Sequence, residues 1–409
     1  MPETGASSDR AARAASGQMA FSLRPLDDPA TLEPLWIDLE RRAEPSFFLS
    51  WQWIGNWLRT LPAGIRPWLL SLRDDRGAIT GLAVLTPRRV RRLGVLRIGQ
   101  WWLHETGDPG LDAPTIEDNG ILLAGGPSAK ADLAARSLRW VLDNAPDCDE
   151  LVIGGIGPEL TAALRRAAGP RHSVRLRQET IRPYVDLGSV RAAGGDYLAL
   201  LGRNTRQAVR RAVRLYEESG SLRLRIAEDP DEALDYLARL KALHQAHWVR
   251  RGQAGAFAPP YFERFHRRLI RDHFATGSIQ LCRIAAGSRE IGYLYNFVWR
   301  GWVHAYQSGL AYDDDNRLKP GLVSHYLAIR RALEDGLGTY DFMAGDGQHK
   351  RNLSTHAAPM AWLTLTGDRL PLRIEGSLRR LKTRLAGNSE RKRHGFAAGR
   401  CATLDENDN

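Results

Sequence analysis

The chain is poor in cysteine. Cys148, Cys282 and Cys401 are the only three among 409 residues, too few and too scattered for a disulfide framework or a zinc site. No apolar run reaches the roughly 20 residues that a membrane-spanning helix requires. The first eighteen residues, MPETGASSDRAARAASGQ, lack the apolar centre of a signal peptide, so residues 1–18 are expected to be a disordered leader in a cytoplasmic protein. CxxC, HExxH, GxSxG and a P-loop are missing, as is a GxGxxG after a strand. Their absence removes a thiol redox pair, a zinc protease, a nucleophile-elbow hydrolase and the common nucleotide folds. His244 and His247 lie three apart on a helix without a carboxylate partner, so no metal is expected.

What is present is a well-mixed globular composition: 43% hydrophobic, 26% charged, twelve tryptophans and a net charge of +11. The length suits two domains with real cores. The basic balance suits phosphate-bearing ligands, nucleic acid or an anionic membrane without choosing among them.

Two blocks repeat one order of elements: helices, a meander of strands, a loop, a helix, and a short apolar strand ending in glycine. The first spans 19–187. It contains SFFLSWQWIGNWLRTL, with Trp53 and Trp57 on one helix face, a hairpin around Asp74–Gly77, a loop from His104 to Gly120, and the buried strand DELVIGGI. The second spans 195–367. It opens on one helix from Asp196 to Gly220, and three strand-like runs lead to WVHAYQSGLA, the loop YDDDNRLKPG, the helix LVSHYLAIRRALEDG and the strand TYDFMAG. Residues 368–409 read as a basic amphipathic helix and a disordered end, which is either solvated or placed against a membrane surface or partner. The repeated order predicts an α/β fold with mixed sheets, duplicated within the chain.

Four stretches carry chemistry. Arg317, Lys319 and Gly321, with Leu322 behind them, precede a helix, where unpaired N–H groups and the positive dipole end favour a pyrophosphate. His304 and Tyr306 share one strand face, suited either to proton transfer or to packing. Asp341 interrupts an apolar strand, and Gly345 and Gly347 place Asp346, His349 and Lys350 at its carboxyl end, where open α/β sheets bind ligands. Arg203, Arg206, Arg210 and Arg214, with Arg211 beside them, form a stripe suited to solvent or to a polyanion. No stacking aromatics interleave with it, so nucleic acid is not favoured.

The second block resembles the GNAT acyltransferase fold, in which a meander leads to a splayed fourth strand, a pyrophosphate loop, a helix, a fifth strand and a catalytic loop. More narrowly, Asp341, Phe342, Gly345 and Lys350 are similar to the DFxxG strand and following lysine of the CelD cellulose-biosynthesis acetyltransferase-like family, and FFLSWQWIGNWL to that family's tryptophan-rich helix. RNTRQAVRRA is similar to the arginine-rich helix of Fem-type aminoacyltransferases, which pair two GNAT-like units. The resemblance implies two tandem GNAT-like units, the first degenerate, and an acyl-CoA-dependent N-acyltransferase. Acetyl-CoA or another acyl-CoA would be co-substrate. The acceptor would be a small-molecule, glycan or lipid amine, or a hydroxyl, from exopolysaccharide or envelope synthesis. Arg317, Lys319, Gly321 and Leu322 would hold the pyrophosphate. His304 would be the base, oriented by Tyr306 or Asp341; His349 would protonate the leaving thiolate; Lys350 would neutralise the oxyanion or a phosphate. The alternatives are a Fem-type ligase using aminoacyl-tRNA and a catalytically silent binding module.

Overall fold

Strand formation follows the alternating and continuous apolar runs of the chain. The computed structural model describes residues 19–369, with 372 and 374 besides; the expected leader and almost all of the expected tail lie outside the described residues. In the first half, β1 (Ala20–Pro25), β2 (Trp68–Arg73), β3 (Ile79–Arg92) and β4 (Leu96–Leu103) make an antiparallel meander. Helices α1 (Glu33–Ala43) and α2 (Trp51–Thr60) fill its first connection. The Ser50 hydroxyl accepts the Trp53 N–H and so starts α2. Short β5 (Leu122–Leu123) pairs with β3, and α3 (Pro127–Asn144) returns the chain to β6 (Glu150–Ile156), parallel to β4. Then come α4 (Pro158–Ala167) and the long β7 (His172–Asp186).

The second half repeats this plan. After α5 (Leu187–Ala192) and α6 (Arg203–Glu217), β8 (Leu222–Ile226), β9 (Ile279–Ala286), β10 (Arg289–Trp299) and β11 (Trp302–Leu310) form a meander, with α7 (Pro230–Arg250) and α8 (Pro260–His273) in its first connection. Helix α9 (Pro320–Glu334) crosses to β12 (Thr339–Asp341), parallel to β11, as a parallel connection demands. The chain ends in α10 (Gln348–Leu353) and β13 (His356–Gly367).

All but β5 lie in one continuous path, β1-β2-β3-β4-β6-β13-β7-β12-β11-β10-β9-β8. The halves exchange strands at its centre: β13, from the end of the chain, pairs with β6 of the first half, and Tyr184–Asp186 of β7 pair with β12 of the second. This is a mixed α/β fold built from two like units. Helices α3 and α4 cover one face of the first unit, and α5, α6 and α9 cover that face of the second. The opposite faces share a single core. Phe47 stacks on Phe297 at 4.2 Å, the Trp299 indole donates to the Pro45 carbonyl at 2.9 Å, and Asn56 donates to Phe265 O at 3.2 Å.

Three local expectations change. The single helix expected from Asp196 is a 3-10 turn, Tyr197–Leu200, followed by α6, because Leu201 and Gly202 are extended between them. No element was expected over His172–Thr180, yet this polar, half-exposed stretch is the start of β7 and becomes strand by pairing with β13. The residues after Gly347, expected as loop, form α10. Among the described residues, no helix is long and apolar enough to cross a membrane.

Candidate active site

Strand β12 pairs with β11 at three positions only, Trp302–Thr339, Val303–Tyr340 and His304–Asp341. Beyond them the strands part. β11 continues against β10 through a bulge in which Tyr306 has no opposite residue, since Tyr295 faces Gln307 and Asn296 faces Ala305. β12 stops as Met343 takes φ +62°, a left-handed conformation costly for a side chain with a Cβ. The Asp341 carboxylate holds that turn by accepting the Met343 N–H at 2.9 Å. The gap between the strands is a cavity of about 730 Å³, running from Lys350 and Phe342 past Tyr306 and Gln307 to Lys319, Gly321 and Leu322 at the tip of α9. Pro320 has no N–H, and the first bond within α9 runs from Val323 N to Lys319 O. The Gly321 and Leu322 amides therefore precede any helical partner, which is the arrangement that binds anions.

Of the residues singled out from sequence, Tyr306, Lys319, Gly321, Leu322, His349 and Lys350 meet in this one cavity. Others do not line it, among them Asp346, which pairs with Arg351 at 2.9 Å. Arg317 is exposed and grips Asp315, with its Nη2 2.8 Å from Oδ2. His304 and Asp341 are sealed beneath the gap, His304 Nδ1 lying 3.1 Å from Asp341 Oδ2. None of the α6 arginines lines the cavity either, and Arg203, Arg210, Arg211 and Arg214 are exposed. His244 and His247 reach it as well: His244 Nδ1 bonds the Ser308 carbonyl at 3.0 Å, and His247 stacks on Tyr312 at 4.2 Å.

Asp341 belongs to a buried charged cluster that spans both halves. Arg182 of β7 lies 3.9 Å from Asp341 and hydrogen-bonds Asp118 of the loop after β4. From the same loop, Glu117 accepts the Ala344 N–H with both oxygens, at 2.9 and 3.1 Å. Lys350 donates to Ala344 O at 2.8 Å and Met343 O at 3.2 Å, so acid and ammonium grip opposite sides of one short backbone stretch. Burial, and then the nearby Asp341, push the Glu117 carboxyl up to about 8. Burial lowers Lys350, with Glu117 and Asp341 working against it. His349 is lowered by burial and then by Lys350, and burial pushes His325 down to about 3. Both imidazoles are therefore neutral near pH 7.

Sequence reading missed Glu117, Asp118, Arg182 and Gln307. The first three sit far from the β12 turn along the chain, and only the strand exchange brings them to it. Glu117 also lines a second cavity of about 310 Å³, with Met343, Phe262 and Trp362, which shares Tyr306, Gln307 and Lys350 with the first. The two spaces thus adjoin at Tyr306, Gln307 and Lys350.

A strand gap ending on a helix tip decides the comparison with known proteins. Residues 203–351 match the family model for the acetyltransferase (GNAT) domain. The match covers the second unit from α6 to α10 and includes every residue predicted for the site. Among solved structures, FemX aligns over 86% of this chain and 98% of its own, with TM-score 0.54 and 11% identity. A conserved protein of unknown function from Bacteroides thetaiotaomicron VPI-5482 aligns over 85% and 100%, with TM-score 0.51 and 10% identity. A tandem GNAT protein from the clavulanic acid biosynthesis pathway aligns over 85% and 98%, with TM-score 0.41 and 14% identity. No curated protein matches. At such identities the structural likenesses speak for the fold alone. The matched stretch is a GNAT domain, and the first unit repeats its order of elements.

Proposed function

We propose that this protein transfers an acyl group from an acyl-CoA to an amine, with the GNAT domain as the catalytic unit. One observation carries the reading: β11 and β12 part after three pairs and leave a long cavity that ends on the tip of α9. A pantetheine arm fits such a slot. The Gly321 and Leu322 amides with the Lys319 ammonium suit the pyrophosphate. Arg317 contributes only after releasing Asp315.

Attack on the thioester carbonyl gives a tetrahedral oxyanion. The Lys350 ammonium, at the meeting point of the two cavities, balances that charge, and a single well-placed donor is worth roughly a hundred- to a thousandfold in rate. The lowering of Lys350 by burial also makes it a better acid toward the departing thiolate. His349 is neutral near pH 7 and so lacks the charged proton for that task. His304 acts at one remove: it braces Asp341, which holds the Met343 turn that presents Ala344. A cytoplasmic site of action accords with acyl-CoA use. A place in polysaccharide or envelope synthesis rests on the CelD resemblance.

A second donor, aminoacyl-tRNA, is kept because FemX shares the fold. Calorimetry with coenzyme A, and a screen of acyl-CoAs for thiol release, test the first reading. Binding is expected in both wild type and Lys350→Ala, with release falling about a hundredfold or more in the variant. Absent coenzyme A binding together with a salt-sensitive tRNA complex moves the donor to tRNA. Neither ligand binding leaves a silent module.

A further inference from the structure

The GNAT domain's second cavity has a wall it does not make itself. Thr115 and Glu117 come from the loop after β4, and Gln178, Thr180 and Trp362 from β7 and β13, all outside the matched domain. Phe262, Met343 and Trp362 give this space an apolar part beside the polar Thr115, Gln178, Thr180 and Gln307, and Glu117 lines it too. Glu117 is 5% exposed and held by the Ala344 N–H, beside Lys350. A carboxylate kept out of water beside apolar side chains suits a cation on a hydrocarbon stem.

We propose that the 310 Å³ cavity takes an alkyl primary amine and that Glu117, supplied by the first unit, removes the proton from its ammonium. This rests on the acyl-transfer reading for its donor but not for its binding step. The ammonium gives one proton to the Glu117 carboxylate. The freed nitrogen lone pair forms the C–N bond while the carbonyl π pair moves to oxygen. Collapse of the oxyanion breaks the C–S bond, the thiolate takes a proton from the Lys350 ammonium, and the second amine proton passes to the Lys350 amine as the amide forms, restoring its charge. The remaining groups that face Glu117 are Asp341, Asp118, Arg182 and Tyr306. The first two acids oppose its ionisation and Arg182 favours it, so the ionised base accumulates as pH rises through about 8.

The test uses the full chain, cadaverine as amine and acetyl-CoA as donor. Calorimetry without donor is expected to show cadaverine binding that weakens about tenfold or more in Glu117→Gln, as a buried charge-assisted bond is lost. Gln still accepts the Ala344 N–H, and melting temperatures check the fold. Glu117→Asp retains part of the affinity. In thiol release, wild type rises through about pH 8, and Glu117→Gln loses that limb and about 10²–10⁴ in rate. Equal amine binding in wild type and Glu117→Gln, no binding in wild type, or equal losses in Gln and Asp overturns the proposal. Absence of thiol release from every acyl-CoA overturns the donor reading instead, and the binding comparison still decides Glu117.

Discussion

The molecule contains the same gap twice. In the first unit β4 and β6 pair in parallel at Gln100–Glu150, Trp101–Leu151 and Trp102–Val152, and then part, as β11 and β12 do after His304–Asp341. The first gap is filled. Asn119 donates its side-chain amide to Leu103 O at the end of β4, and its backbone N–H to Gly155 O on β6, both at 3.0 Å. Gly155, three residues past the last parallel pair, lies so close to the loop that a Cβ there would sit 2.4 Å from Ile116 O. The residue three past the last pair in the second gap is Ala344, and its N–H meets Glu117 of that same loop. One loop therefore closes the first gap and arms the second. The difference teaches that a copy can close its own gap and still serve its neighbour: the loop that fills the first gap also holds the backbone beside the second.

The comparison breaks first at the helix tips. Gly321→Glu sets a carboxylate at the head of α9, against the proposed pyrophosphate site, where its Cβ meets only the flexible Leu310 side chain at 3.2 Å. Coenzyme A affinity is expected to fall about a hundredfold or more by calorimetry, since like charges facing each other cost several kcal/mol. Gly126→Glu at the matching head of α3, where nothing lies within 4 Å, is expected to leave affinity and melting temperature unchanged. A comparable loss from Gly126→Glu would mean that the first unit also binds the donor.

The filling of the first gap is tested next. Gly155 has φ +66°, and Gly155→Ala forces a Cβ into the Ile116 carbonyl. Urea unfolding is expected to show a loss of about 1–3 kcal/mol, with amine binding weakened as Glu117 shifts. Unchanged stability would show that the loop does not press on β6.

The smallest effect is a pH dependence. Glu105 follows β4, and its Oε2 is buried without a hydrogen-bond partner among the described residues. Burial, then Asp112, push its carboxyl up to about 8 from 4.5, while Arg177 works the other way. The folded state thus holds a proton that the unfolded state gives up, and stability from this group is present below about 4.5 and lost as pH rises through about 8. Glu105→Gln removes that slope. Its melting temperature relative to wild type is expected to rise between pH 5 and 9, and a flat difference would place Glu105 in water.

Much of this was legible along the chain. The order of elements announced two like units, and the run from Trp302 to Lys350 announced a strand, a helix tip and a polar turn, because each depends on residues adjacent in sequence; the splay of the strands was expected from the GNAT resemblance alone. Apolar period, turn glycines and charge at a helix start act within a few residues. The start of β7 was not legible, because its polar face becomes strand only when β13 arrives to pair with it. Nor did Arg317 announce its bond to Asp315 rather than to the cavity.

The sequence by itself determined the mixed α/β fold and the duplicated order of elements. Only the tertiary structure decided that the halves share strands and a core, that the first gap is stitched shut by Asn119, and that Glu117 stands beside Lys350 more than two hundred residues on. The physical reason is range: local propensities set elements, whereas a buried carboxylate finds its place through packing and hydrogen bonds between segments that meet only when the sheet is complete.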